Sequence, residues 1–195
     1  MLHTLTVYVH LIAACSAIGV IIISDIKLSH YFFGQAAKQS RPDLSLEIKI
    51  IVGALGILWL SGICLVYQGL ITNPEYLLNQ KLQAKIILVI ALTINAFALH
   101  LISLPRIFCL EGHDDFVKTV FPASISNSVW FYAAFLGVAR HWNFSESLEF
   151  ILAVWIVIWL VVFFSMYIVI RAAKSRLVNK LEAASALCQV SALSR

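Results

Sequence analysis

The chain alternates long apolar runs with short polar connections. Five runs contain no Asp, Glu, Lys or Arg and reach roughly the 20 residues that an α-helix needs to cross a bilayer core of about 30 Å. These runs cover residues 4–24, 50–70, 86–105, 119–139 and 150–170. The fourth run is the most polar, because its first half contains Ser124, Ser126, Asn127 and Ser128. The pattern predicts an all-α membrane helix bundle of about five transmembrane helices over residues 1–173, with a cytoplasmic tail over 174–195. A re-entrant or cavity-lining fourth segment is the alternative to a full span.

Composition supports a membrane location. Hydrophobic residues make up 61% of the chain and charged residues 12%, and the mean hydropathy is +0.91. A soluble domain carries about 25% charged residues, because its surface must stay hydrated. The net charge of +4 is modest, and the basic residues form no stripe of the kind that binds nucleic acid. The expected partner is therefore the lipid bilayer, and no nucleic acid.

The distribution of Lys and Arg predicts the orientation. Eleven of these residues flank the spans on one side of the predicted membrane, and three lie on the other side, namely Lys81, Lys85 and Arg140. Basic residues accumulate in cytoplasmic loops. Five spans then place the N-terminus outside and the C-terminus in the cytoplasm. The first apolar run lacks a basic flank and is too long for a cleavable signal, so we expect a retained first helix.

Two of the six histidines, His10 and His100, lie inside predicted spans. Polar groups in a bilayer are costly, which makes both of them candidates for a function. His10 lies about 9 Å below the outer end of the first helix, and His100 about 21 Å below the outer end of the third. The difference of about 12 Å is too large for both imidazoles to bind one metal ion at about 2 Å each. His100 is therefore either a ligand at a second site or a structural residue.

His10 is the preferred candidate for binding a cofactor. Below it lies a face of small residues at helical spacing, His10, Ala13, Ala14 and Ala17. Small residues allow close helix packing, and they also leave room for a flat macrocycle beneath an axial histidine. On the third helix, Lys81 and Lys85 lie one turn apart near the same depth. They either extend to lipid phosphates, or Lys85 faces the bundle and binds a propionate or another anion.

Other chemistries find little support in the sequence. There is no HExxH motif, no arrangement typical of a serine hydrolase and no pair of carboxylates inside a span. The four cysteines form no CxxC pair, so neither a disulfide framework nor a zinc site is expected. Asp25 lies at the inner end of the first helix, where Lys27 or Arg106 is expected to pair with it.

Three segments resemble a known family. They read HLIAACSAIGVIIISDIKLSH from His10 to His30, LEIKIIVGALGILWLSGICLVYQGL over 46–70, and KLQAKIILVI over 81–90. Together they resemble the bacterial membrane-embedded protoporphyrinogen IX oxidases and the membrane domain of copper-resistance D proteins, over roughly residues 5–105. The resemblance implies a bacterial inner-membrane protein with b-type haem. It also implies that the haem-associated histidine and lysine are His10 and Lys85.

Three functions remain open at this point. The first is a haem b protein, a possible membrane oxidoreductase, for electron transfer or porphyrin oxidation, with His10 as the ligand of the haem iron and Lys85 and His100 as further cofactor-binding residues. The second is an accessory or scaffold subunit without enzymatic activity, which acts in a homo-oligomer or with a membrane partner through the small-residue faces around Gly53, Gly56 and Gly62. The third is a small transporter whose pathway follows the polar start of the fourth helix.

Overall fold

The computed structural model describes residues 1–33, 43–99 and 113–193. These ranges form five α-helices and contain no strand, which confirms the all-α class. The helices are α1 (Leu2–Phe33), α2 (Ser45–Thr72), α3 (Gln80–Ala98), α4 (His113–Val138) and α5 (Leu148–Leu193). Two short 3-10 helices, Pro74–Leu78 and Arg140–Trp142, lie in the connections that follow α2 and α4. His100 lies outside the described residues.

Four helices in the described ranges are long and apolar enough to cross a membrane. They are Leu2–His30, Ser45–Thr72, Gln80–Ala98 and Leu148–Ala172, with hydropathies of 2.2, 2.3, 1.6 and 2.7. The chain is thus a helical protein of membrane type. The helix α4 is not among the four. This result follows from the serines in its first half, which were the reason to regard this run as the most polar.

The helices extend beyond the apolar runs that predicted them. The first run ends at Ser24, whereas α1 continues through Asp25 and Lys27 to Phe33. At the other end of the chain, α5 continues from the end of its span at Ala172 to Leu193. That extension corresponds to about 30 Å of helix. An apolar run indicates only the part of a helix that crosses the bilayer core. The helix itself can continue further, because charged residues outside the core do not break it.

Contacts between side chains show that neighbouring helices are antiparallel. Helices α1 and α2 meet through Lys27 and Glu47 near one end and through Thr6 and Gln68 near the other. In the same way, α3 and α4 are joined by contacts near both of their ends, and the contacts of α4 with α5 pair later residues of α4 with earlier residues of α5. A short connection joins α2 to α3, and Trp59 and Thr93 form a hydrogen bond at similar distances from it. Odd-numbered helices therefore run in one direction and even-numbered helices in the other. We call the end of the bundle that contains Met1, Thr72, Gln80 and Val138 the Met1 end.

Two serines of α4 are packed inside the bundle. Ser124 and Ser128 are 0% and 1% exposed, and the hydroxyl of Ser124 accepts a hydrogen bond of 3.1 Å from Trp159 Nε1 on α5. On its other side, α4 receives a 2.8 Å hydrogen bond at the Pro122 carbonyl from Asn95 on α3. The polarity that makes α4 a weak span is thus used in contacts with its neighbours. A transport pathway along these serines finds no support in the described residues.

Two residues at the start of α3 bind the connection between α4 and α5. Lys81 Nζ donates a 2.6 Å hydrogen bond to the carbonyl of Ala139, just beyond the C-terminus of α4. Gln80 Oε1 accepts a 2.6 Å hydrogen bond from the backbone N–H of Leu148, the first residue of α5. A cation at a helix C-terminus is favourable because the final carbonyls carry partial negative charge. Lys81 is 6% exposed, so it does not extend to lipid phosphates.

Candidate functional site

His10 lies between α1 and α2 near the Met1 end of the bundle. Its side chain is half-buried, and its Nδ1 atom lies 2.8 Å from the hydroxyl oxygen of Ser61 on α2. Ser61 is 6% exposed. The neighbouring Gly62 brings the α2 backbone close to the ring, since a Cβ atom at that position would lie 3.8 Å from His10 Cε1. His10 is therefore held by α2 on one side of its ring.

Lys85 contributes the charge at this site. It is half-buried on α3, one turn after Lys81, and its ammonium lies near enough to His10 for the two side chains to interact electrostatically. Among residues 1–33, 43–99 and 113–193, Lys85 has no hydrogen-bond or ion-pair partner. A shared site of His10 and Lys85 stays a prediction, whereas the contacts of the two lysines already differ. Lys81 is used in the fold, and Lys85 remains available.

A second polar pair lies one turn nearer to the Met1 end. Gln68 Nε2 on α2 donates a 3.3 Å hydrogen bond to the hydroxyl of Thr6 on α1, and this hydroxyl donates to the Leu2 carbonyl at 2.9 Å. Gln68 Oε1 is buried and accepts no hydrogen bond. Within the described part of the chain, one other buried side-chain atom lacks a partner, Trp155 Nε1. We call the polar contacts of Thr6 and His10 on α1 with Ser61 and Gln68 on α2 the α1–α2 seam. Buried polar groups are normally paired, so the unpaired oxygen of Gln68 shows that the hydrogen bonds of this seam are not fully satisfied.

Of the two roles that the sequence left open for the small-residue face of α1, the structure shows close helix packing. Ala13 and Ala17 are 5% and 0% exposed and pack in the hydrophobic core with Ala54 and Leu58 of α2. Close packing of small residues is what joins helices in lipid. Because this face is covered by the bundle, it leaves no room for a macrocycle below His10. A large ligand must reach His10 by another route.

The other histidines whose side chains the structure describes, His3, His30 and His141, are exposed. The predicted second ligand, His100, and the side chain of His113 are outside the parts of the chain that the structure covers. Those ranges contain no group of three or more His, Cys, Asp or Glu side chains that could hold a metal ion. A site built from protein ligands alone, such as a zinc site, is therefore absent from them. A macrocycle whose metal is bound through one axial histidine does not need three ligating side chains from the protein.

Asp25 forms a separate polar contact in the opposite half of the bundle. Its Oδ2 atom accepts a 3.0 Å hydrogen bond from Asn127 Nδ2 on α4. The expected pairing with Lys27 is wrong, because Lys27 pairs with Glu47 on α2, while Arg106 lies outside the described residues. Lys27 lies two residues after Asp25 on α1. Residues with this spacing lie on different sides of a helix.

Ser61, Gln68 and Thr6 were missed by the reasoning from sequence. Serine and threonine are common in membrane helices, where their hydroxyls bond to the preceding turn of their own helix. A useful signal was nevertheless present, since α1 and α2 are consecutive and antiparallel. A polar residue early in α1 then lies opposite a polar residue late in α2, which pairs Thr6 with Gln68 and His10 with Ser61.

Comparisons of the chain with protein-family models, with curated proteins and with solved structures find no match.

Proposed function

We propose that this chain is a five-span protein of the bacterial inner membrane that binds b-type haem through His10. The N-terminus lies outside and the C-terminus in the cytoplasm. The bound haem serves electron transfer or porphyrin oxidation. The observation that carries this proposal is the environment of His10, a half-buried imidazole held at one ring nitrogen by Ser61. The ammonium of Lys85, which has no partner among the described residues, acts on His10 electrostatically.

The topology is supported by charge and by packing. Of the fourteen Lys and Arg residues, eleven belong to the sequence segments that we assign to the cytoplasm and three to those on the opposite side, in agreement with the accumulation of basic residues on the cytoplasmic face. The helix α4 counts as the fifth span in this proposal. Its polar groups are bonded to α3 and α5, so it need not be apolar on every side. An antiparallel order of five helices then places the two termini on opposite sides.

The residues at the site suit an axial ligand and an anion. In the neutral imidazole one nitrogen donates a hydrogen bond and the other can bind a metal. Lys85 would hold a propionate, since an ammonium without a partner in a bundle is favourable only beside an anion. Haem, when bound, supplies reversible one-electron chemistry, while the protein sets its position and its electrostatic surroundings. The packed face of Ala13 and Ala17 leaves no space for the haem macrocycle below His10.

The test is the visible spectrum of protein purified in detergent from haem-supplied cells, oxidised and then reduced with dithionite. Wild-type protein should show a Soret band, with sharp α and β bands on reduction. His10→Ala should lose these bands at an unchanged yield of folded protein. His141→Ala is the matched control, because His141 is exposed at the same end of the bundle, and it should keep the wild-type spectrum. Colourless wild-type protein would refute haem binding.

A second candidate is an accessory subunit that binds another membrane protein. It is favoured by the open face of α2, where a Cβ atom added at Gly53 or Gly56 would meet nothing within 4 Å. Small residues exposed to lipid allow a second helix to approach closely. Under this candidate the wild-type protein is colourless and co-purifies with one partner, and Gly56→Leu abolishes the association. A monomeric and colourless wild type would argue against both candidates.

A further inference from the structure

The hydrogen bonds of Ser61 determine which nitrogen of His10 carries the proton. The Ser61 hydroxyl lies 2.6 Å from the carbonyl of Ile57, one turn earlier on α2, and 2.8 Å from His10 Nδ1. A third neighbour, the Leu58 carbonyl, lies at 3.4 Å. A hydroxyl has one proton to donate but can also accept. Both carbonyls can only accept, so the proton of Ser61 belongs to the Ile57 carbonyl, its closest neighbour.

The hydroxyl oxygen then acts as an acceptor toward His10. Donation to the i−4 carbonyl is the usual geometry of a serine within a helix, and it leaves the oxygen lone pairs directed away from that carbonyl. The bond at 2.8 Å must therefore be donated by Nδ1–H of His10.

We infer that Ser61 is a positioning residue, which holds His10 in the tautomer with the proton on Nδ1 and leaves Nε2 as the ligand-binding atom. A histidine that binds a metal must be neutral, and its other nitrogen normally donates to a second group that fixes the ring. In this chain Ser61 is that group. The identity of the ligand at Nε2 rests on the proposed haem function, whereas the tautomer rests on the hydrogen bonds alone.

The tautomer can be measured without haem. Wild-type protein labelled with ¹⁵N-histidine is purified free of haem, and the His10 signals are identified by their loss in His10→Ala. The inference predicts a protonated Nδ1 and an unprotonated Nε2 in wild type. Ser61→Ala should lose this preference, and Ser61→Thr should restore it, because threonine can form the same bonds. Ser24→Ala is the control, since Ser24 makes the same i−4 bond, to Val20 at 2.9 Å, on α1.

Haem titration then measures the consequence for binding. Loss of a hydrogen bond to a metal-ligating histidine typically weakens metal binding roughly 10- to 100-fold, and we expect this effect in Ser61→Ala. Ser61→Thr and Ser24→Ala should bind as wild type does.

The two readouts separate the possible failures. A proton on Nε2 in wild type, or an unchanged tautomer in Ser61→Ala, would overturn the inference whether or not haem binds. The predicted tautomer in a protein that does not bind haem would sustain the role of Ser61 and refute the proposed function. If Ser61→Ala does not fold, the wild-type and Ser61→Thr spectra still decide the tautomer.

Discussion

The polar side chains of α4 and those between α1 and α2 differ in how fully they are hydrogen-bonded. On α4, the hydroxyls of Ser124, Ser128 and Tyr132 all donate to backbone carbonyls, and Ser124 also accepts from Trp159. Between α1 and α2, Gln68 Oε1 is buried without a partner, and His10 uses one ring nitrogen. Since an unpaired polar group is costly in lipid, a seam that leaves groups unpaired is the better candidate for a ligand site.

The comparison also distinguishes the two lysines of α3. Lys81 is buried against the end of α4, and Lys85, one turn later, has no partner in the described ranges. Both lysines occupy the same helix face, and both would look alike in a count of charges. We therefore expect changes in the α3–α4–α5 region to alter the free energy of unfolding, and changes in the α1–α2 seam to alter ligand binding.

The largest loss of stability is expected for Lys81→Met. The substitution removes a buried charge-assisted hydrogen bond and leaves the Ala139 carbonyl unpaired, which typically costs about 2–3 kcal/mol. The measurement is unfolding in mixed detergent micelles, followed by circular dichroism. Lys85→Met is the matched control on the same helix, and it should not lower the free energy of unfolding, because it removes an ammonium that has no partner among the described residues. Equal losses for the two variants would contradict the assignment of separate roles.

A smaller effect is expected for Asn95→Ala. Asn95 is buried and donates a 2.8 Å hydrogen bond to the Pro122 carbonyl of α4. Hydrogen bonds between membrane helices contribute about 0.6 kcal/mol on average and up to about 1.7 kcal/mol. Because Asn95 is buried, we expect a loss near the upper end of this range, about 1.5 kcal/mol, in the same unfolding assay. An unchanged stability would remove Asn95 from the contacts that fix α3 on α4.

The smallest of the three effects is expected for Tyr132→Phe. The Tyr132 hydroxyl donates to the Ile151 carbonyl at 2.7 Å between α4 and α5, and its ring packs on Phe135. The substitution keeps the ring and removes one hydrogen bond, for a loss of about 1 kcal/mol. Ring contacts should be unaffected, so the near-UV circular dichroism should keep the shape of the wild-type spectrum. A loss far above this value would mean that the hydroxyl has a further role.

Much of the fold follows from the sequence, since the bilayer imposes a length and a hydropathy that the apolar runs display. The exception is α4, where Ser124 and Ser128 lower the hydropathy, and only the packing explains them. Similar depths for His10 and Lys85 were predicted by counting residues along the first and third helices. The hydrogen-bond partner of His10 could not be predicted from the sequence, because the choice of Ser61 depends on how far α2 is rotated about its axis. The burial of Lys81 likewise depends on where the α4–α5 connection passes.

The central claim is that the α1–α2 seam binds a ligand through His10, whereas the α3–α4 contacts are structural. The most direct test titrates haem into haem-free wild-type protein, His10→Ala and Asn95→Ala, and measures the unfolding free energy of each. The account predicts that His10→Ala loses saturable haem binding and keeps most of its stability, while Asn95→Ala binds as wild type does and is less stable. Equal haem binding by wild type and His10→Ala, or none by wild type, would contradict it.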